Sequence, residues 1–243
     1  MSTSDEHDRC ANGAKQPSID SPSQTLVDGL AKNFTRQVER ALDTKLRDEP
    51  SSLAFVDHYL TLANDEDREA IVALLASGAG AWFGELVRRE IGATWIGDGT
   101  DPRKLRLLLE PQLIHFSPVD LAYEIIFSRA NSAVDSEREI DGSYHLRKTP
   151  LPPPPDSEDP ISTSEEESSD PPRFSDHEWV TARLQEMPQL PVDQFATLTG
   201  RFETLELILT LIAQKHLGEG RTPVSYGLSD YVELLVSESV SVS

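Results

Sequence analysis

Apolar side chains recur at every third or fourth position along the first half of the chain. The first such stretch carries charged residues between its apolar positions, which are Leu26, Leu30, Phe34, Val38 and Ala41 or Leu42. This period predicts an amphipathic helix over residues 24 to 47, which Pro50 closes. Ser51 or Ser52 is suited to cap a second, shorter helix.

The third predicted helix, over residues 66 to 91, has very little side-chain bulk in its middle. Asn64 and the acidic residues after it open this helix, Gly92 ends it, and residues 76 to 81 are all alanine, glycine or serine. Two glycines in a helix interior cost about 1 kcal/mol each relative to alanine. We therefore expect a neighbouring backbone to approach the helix closely at this run.

Three short extended segments follow, over residues 94 to 96, 104 to 110 and 113 to 116. In the middle one, leucines alternate with polar residues, and only Leu108 interrupts the polar side. Turn-forming residues separate the segments, and Pro118 then begins another helix. The pattern predicts an α+β domain with helices packed on a small antiparallel three-stranded meander. Residues 144 to 146 form either an additional edge strand or a loop.

The chain is divided by a segment that cannot form a core. Between residues 149 and 172 it has eight prolines, seven acidic residues and no basic ones. This composition predicts a disordered, acidic linker. The predicted organisation is a disordered tail (1–23), an α+β domain (24–148), the linker (149–172) and a helical region (173–238).

The helical region carries a long apolar seam. Ser175 and Glu178 form a predicted capping box for its first helix. Residues 192 to 217 then place apolar side chains at spacings of three and four, including Phe195, Phe202 and Leu209. Such a seam needs a covering surface, which is the helical region itself, the first domain, another protein or a second copy of this chain. A last helix is predicted to begin near Ser229.

The charge restricts the classes of partner. There are 42 aspartates and glutamates against 22 lysines and arginines, which gives a formal charge of -20. This charge repels phosphate backbones and anionic lipids, so we expect no nucleic acid or membrane partner and a protein partner more basic than the chain. The polar first residues and the absence of a stretch of about 18 apolar residues predict a soluble, cytoplasmic protein.

The sequence shows no arrangement typical of catalysis or metal binding. Cys10 is the only cysteine, and no nucleophile motif, phosphate-binding loop or HExxH spacing is present. We therefore expect no catalytic residues, no cofactor and no metal. The alternative is a small enzyme or ligand-binding domain with a pocket between helix 66–91 and the meander, near Trp82, Glu85, Trp95 and His115.

The segment from Ala81 to Trp95 reads Ala-Trp-Phe-Gly-Glu, then two arginines, then Gly-Ala-Thr-Trp. It resembles a helix-to-strand junction in a group of uncharacterised bacterial α+β domains, where it reads Ala-Tyr-Leu-Gly-Glu, then Arg, then Gly and Trp. This chain has Trp82 in place of the tyrosine. The resemblance covers residues 51 to 130 and implies a small bacterial α+β domain without implying a reaction.

Together these features predict a regulatory or inhibitory protein that binds another protein and is not an enzyme. The expected partner-binding residues lie in the junction segment and in the C-terminal seam, and a homodimer could form through residues 192 to 217. The expected partner-binding residues are Trp82, Glu85, Arg88, Trp95, Phe195, Phe202 and Leu209.

Overall fold

A computed structural model describes residues 21–62, 68–130, 140–152, 174–188, 191, 194 and 196–240, with only the backbone described at 128–130 and 235–240. Within these residues the chain forms seven helices and four strands. In chain order they are α1 (Pro22–Leu42), α2 (Leu53–Leu62), α3 (Glu69–Val87), β1 (Ala93–Ile96), β2 (Arg106–Leu109), β3 (Ile114–Phe116), α4 (Pro118–Ala130), β4 (His145–Leu146), α5 (Asp176–Glu186), α6 (Leu198–Gly218) and α7 (Leu228–Val240).

The strands form one antiparallel sheet in the order β1-β2-β3-β4. The α+β class and the antiparallel meander are confirmed, but the sheet has four strands and not three. The extra strand is β4, where Leu146 pairs with Ile114 of β3. Its buried Leu146 adds to the core face of the sheet, which accounts for the pairing of so short a segment.

The predicted end of the first helix is wrong. Helix α1 stops at Leu42 and not at residue 47, because Asp43 adopts a left-handed conformation with φ 47°. The amide of Asp43 then donates to the Glu39 carbonyl, as in other left-handed helix caps. Pro50 lies after the end of α1, and it begins a short 3-10 turn that leads into α2.

Helix α3 is the centre of the fold, and close approach at its small residues is confirmed. A Cβ at Gly80 would lie 2.5 Å from the carbonyl oxygen of Pro118 and 2.6 Å from Cα of Val119. A Cβ at Gly78 would lie 2.9 Å from the Phe34 side chain. The glycines therefore let the backbone of α4 and the aromatic ring on α1 pack directly on α3.

The segment Glu69–Gly92 is long and apolar enough by length and composition to cross a membrane, contrary to the sequence prediction. Of its most apolar window, 78% is buried inside this protein. The core helix of a soluble protein meets the same criterion. Burial on nearly all sides by α1, α4 and the sheet explains why α3 needs so apolar a composition.

Helices α5 and α6 pack on the first region and share its core. Phe202 of α6 lies edge-on to Phe83 of α3, with ring centroids 6.4 Å apart. Asp57 of α2 caps the start of α6 by accepting hydrogen bonds from the amides of Leu198 at 2.7 Å and Thr199 at 3.1 Å. Of the surfaces that could cover the seam, two therefore do so, namely the first domain and the helical region's own α5.

A buried ion pair joins α5 to α6. The predicted capping box at the start of α5 is confirmed, with Ser175 and Glu178 bonding reciprocally. Asp176, which directly follows Ser175, accepts a hydrogen bond from Lys215 Nζ at 2.7 Å and lies 3.0 Å from His216 Nε2. Asp176 and Lys215 are both buried, so neither charge has water to replace its partner.

Helix α7 covers the face of the sheet opposite to α3. Its Tyr231 and Leu234 form a small apolar cluster with Leu108 and Leu113, separate from the main core. The Tyr231 hydroxyl lies 2.7 Å from the carbonyl oxygens of Leu109 and of Ile114, at the connection between β2 and β3. Leu108, which interrupts the polar side of β2, is thus part of a second apolar contact.

Several sequence predictions concern residues outside those described. They are residues 1 to 20 of the predicted tail, residues 153 to 172 of the predicted linker, the opening of the third helix at residues 63 to 67, and Phe195 at the start of the seam.

Candidate functional site

The junction between α3 and β1 is organised around the Glu85 carboxylate, which accepts four hydrogen bonds. Trp95 Nε1 donates to Oε1 at 2.8 Å, and Gln24 Nε2 donates to the same oxygen at 3.1 Å. Arg88 donates the other two hydrogen bonds, from Nε to Oε1 at 3.0 Å and from Nη2 to Oε2 at 2.9 Å. Glu85 therefore fastens β1 and α1 to the end of α3.

These contacts set the ionisation of Glu85. Burial alone would raise the pKa of the carboxyl, but the hydrogen bonds from Arg88, Gln24 and Trp95 hold it below its ordinary value of 4.5. Glu85 is consequently a fully bonded carboxylate at neutral pH. A carboxylate with this many donors is poorly suited to take up a proton, so the geometry favours a structural role for Glu85.

The glycines of the junction have specific structural roles. A Cβ at Gly84 would lie 2.3 Å from Cζ2 of the Trp95 ring, so only glycine lets that ring lie against α3. Gly92 has φ +96°, a conformation that favours glycine, and it connects the short π-helical turn after α3 to β1. The pattern Gly-Glu, Arg, Gly and Trp is therefore explained by packing and hydrogen bonding at one corner of the fold.

The pocket expected between α3 and the sheet is not formed by the residues named for it. Trp95 lies on the sheet face that packs against α3, whereas His115 pairs with Leu108 on the opposite face. The His115 ring stacks on His145 with centroids 4.8 Å apart and meets Tyr231 of α7 edge-on. Glu85 and His115 therefore lie on separate sides of the sheet and do not converge.

An open groove of about 380 Å³ lies instead between α1 and the end of α3. Its walls come from α1, the segment after it, α3 and the turn that follows α3. The lining residues are Asp28, Ala31, Lys32, Thr35, Arg36, Leu46, Asp48, Trp82, Glu85 and Arg89. Sequence reasoning found Trp82 and Glu85 but missed the α1 wall, because the charged side chains of α1 match an ordinary solvated helix face.

Trp82 gives this groove an unusual feature. Its side chain is only 1% exposed, and its indole Nε1 has no hydrogen-bond partner among the described residues. Buried donors are nearly always paired, because an unpaired one costs about 1–3 kcal/mol. One of the residues that line the groove therefore carries a donor whose hydrogen-bonding capacity is unused among the described residues.

The other predicted partner-binding residues are distributed between core and surface. Trp82, Trp95 and Phe202 are buried, so they offer almost no surface to a protein partner in this fold. Leu209 is half-buried and packs against the core, and the Arg88 side chain is 37% exposed beside Glu85. The large aromatic residues were predicted as contact residues because of their apolar area. The same apolar area is the reason that they fill the core.

Helix α7 has apolar side chains on its outer side as well. Leu228 and Val232, one helical turn apart, are 55% and 54% exposed, and Glu233 beside them is also exposed. We call these three residues the α7 outer face. Between residues 217 and 240 there are four acidic residues and one basic residue, Arg221. The α7 outer face itself therefore combines two exposed apolar side chains with one exposed carboxylate.

No protein-family model, curated protein or solved structure matches this chain at a significant level. Within the described parts of the chain, no three side chains of histidine, cysteine, aspartate or glutamate are grouped so that they could hold a metal ion.

Proposed function

We propose that this chain is a cytoplasmic protein-binding protein that regulates or inhibits a more basic partner, and that the α7 outer face is its main contact surface. The observation that carries the proposal is the exposure of Leu228 and Val232 on a helix whose other side is already packed on the sheet. Each of these two residues remains more than half exposed in the monomer. Exposed apolar side chains surrounded by charge are a common feature of protein contact sites.

Charge supports a basic partner. Of the 42 acidic residues, 18 lie outside the described residues, together with only four of the 22 basic ones. Most of the net charge of -20 therefore belongs to the segments flanking and connecting the described fold. Negative charge there would accelerate the approach of a basic protein, and the α7 outer face would provide the specific contact.

The same geometry is less favourable to the rival proposal, an enzyme built around the junction. That proposal needed Glu85 and a histidine in one concavity, and they lie on opposite sides of the sheet. Glu85 is also fully engaged by Arg88, Gln24 and Trp95. The buried carboxylate of the junction therefore holds structural elements together and is not free to act as an acid or base.

Affinity capture from a lysate of the source organism tests this proposal. The full chain is compared with the double substitution Leu228→Ser and Val232→Ser, which removes both apolar side chains without introducing a positive charge. We expect the full chain to retain one specific basic protein and the variant to retain about tenfold less, because loss of central apolar contacts costs more than about 1.4 kcal/mol. The captured protein is then assayed for loss of its own activity when bound.

A matched control lies on α2. Phe55 and Leu62 are 46% and 62% exposed, so Phe55→Ser with Leu62→Ser removes comparable exposed apolar area elsewhere. This variant should capture the partner as well as the full chain does. Equal loss in both variants, or recovery of only further copies of this chain, would contradict the proposed contact surface.

A further inference from the structure

The groove between α1 and α3 is bordered by hydrogen-bond donors that have no ion-pair or hydrogen-bond partner among the described residues. Lys32 and Arg36 project from α1 at its wall, and neither forms an ion pair within the described residues. Trp82 adds the unpaired indole N–H. Each of these groups is a donor only, and two of them carry positive charge.

Two of the three acidic residues of the groove are already paired with an arginine. Asp28 accepts a hydrogen bond from Gln24, and Asp48 pairs with Arg89 at 2.8 Å. Glu85 is saturated by the contacts described above. Asp28 thus keeps its negative charge, because Gln24 is neutral, and it opposes the two cations Lys32 and Arg36. In a chain with a net charge of -20, the unpaired charge of this groove among the described residues is still positive, by one unit.

The remaining lining is apolar and of small-molecule size. Ala31, Leu46 and the Trp82 ring supply carbon surface, and the volume of about 380 Å³ is within the range of about 300–1,000 Å³ seen for small-molecule sites. A second cavity of about 280 Å³ adjoins it through the shared Arg36 and includes Arg40. Lys32, Arg36 and Arg40 are four residues apart, so they form one cationic row along α1.

From these contacts we infer that the groove is a binding site for a small carboxylate with an apolar body. The carboxylate oxygens accept hydrogen bonds from Lys32 and Arg36 and from the indole N–H of Trp82. The apolar body packs on Ala31, Leu46 and the Trp82 ring. A bare inorganic anion would leave that apolar lining unused, and a neutral ligand would leave the two cations unpaired. This site lies on the other side of the sheet from α7 and is independent of the proposed protein contact.

Nuclear magnetic resonance of the indole N–H groups tests the inference directly, using benzoate as the probe. The chain has three tryptophans, so a ¹⁵N-labelled sample gives three indole signals, and Trp82→Phe assigns one of them. We expect benzoate to move the Trp82 signal downfield, because its N–H acquires an acceptor. The Trp95 signal, whose N–H already bonds to Glu85, and the signal of Trp179 on α5 should move much less.

Two ligand controls accompany benzoate. Benzamide has nearly the same shape without the charge. It should bind at least about tenfold more weakly than benzoate, since a hydrogen bond to a charged group contributes about 1.5–3 kcal/mol. Inorganic phosphate has the charge without the apolar body and should also bind more weakly. Equal responses to benzoate and benzamide, or to benzoate and phosphate, would overturn the assignment.

Two variants locate the response. Lys32→Gln with Arg36→Gln should weaken benzoate binding by about tenfold or more while leaving the fold intact, because both side chains are exposed. Arg47→Gln with Lys104→Gln removes the same charge from exposed positions outside the groove and should leave binding unchanged. An unmoved Trp82 signal at saturating probe, or equal loss in both variants, would show that the groove is not a carboxylate site.

Discussion

Replacing Gly84 by alanine should lower the free energy of unfolding by about 3 kcal/mol, the upper part of the usual range for overpacking a core. The added Cβ would lie 2.3 Å and 2.4 Å from two atoms of the Trp95 ring. That ring has little freedom to move aside, because its N–H is bonded to the buried Glu85. The clash therefore separates β1 from α3 or breaks the Glu85 contacts.

Gly29→Ala is the matched control for this substitution. Gly29 lies in the interior of α1, and nothing lies within 4 Å of where its Cβ would be. Alanine there should stabilise the protein by about 0.5–1 kcal/mol, because glycine is costly in a helix interior. Urea unfolding followed by far-ultraviolet circular dichroism measures both variants. Changes of the same sign in the two would contradict the packing described for the junction.

Replacing Asp176 by asparagine should cost about 3–5 kcal/mol, the usual effect of removing one partner from a buried ion pair. Lys215 would remain buried with its charge no longer balanced by Asp176. Urea unfolding at neutral pH measures the loss. Glu206→Gln, an exposed position on the same helix as Lys215, is the control and should change stability by less than about 0.5 kcal/mol.

The effect of Asp176→Asn should depend on pH in a defined direction. Burial would raise the pKa of Asp176, but hydrogen bonds from His216 and Lys215 lower it below the ordinary value of 3.8. A depressed carboxyl pKa stabilises the fold fully above the unfolded value and progressively less as the pH falls through the folded value. The difference between the native chain and the variant should therefore shrink below pH 3.8. A difference that grows on acidification would contradict the assignment.

A double substitution distinguishes loss of the pair from loss of packing. Asp176→Leu with Lys215→Met replaces both charges by apolar side chains, and such replacements of buried pairs are often neutral or stabilising. We expect this variant to regain most of the stability that Asp176→Asn loses. If both variants are equally unstable, helix capping or shape at residue 176 would be the cause, and not the unbalanced charge of Lys215.

Periodicity was sufficient to predict much of the fold, because most of its elements bury one face. The apolar stripe of α1, the alternation in β2 and the small residues of α3 each correspond to one packing surface seen in the structure. The end of α1 was missed because it depends on the left-handed conformation of Asp43, which the residue type permits but does not require. The short β4 was left open because two paired residues give no periodic signal.

The sites depend on contacts that no sequence pattern encodes. The net positive charge of the groove follows from which charges find partners. Arg89 pairs with Asp48, whereas Lys32 and Arg36 form no ion pair with any residue that the structure describes. Such pairing is decided by distance in the fold. The sequence did contain one signal for the packing of α7 on the sheet. Leu108 is an apolar residue on the polar side of β2, which indicates a second apolar contact, and Tyr231 and Leu234 provide that contact.

Hydrogen exchange of the chain, alone and with the protein recovered by affinity capture, measures the proposed contact most directly. We predict slower exchange in α7 on binding, because a partner seated on Leu228 and Val232 would suppress local opening of that helix. Exchange in α2, which bears the exposed Phe55 and Leu62, should not change. Protection confined to α2 or to the groove wall on α1, with α7 unaffected, would contradict the proposal that the α7 outer face binds the partner.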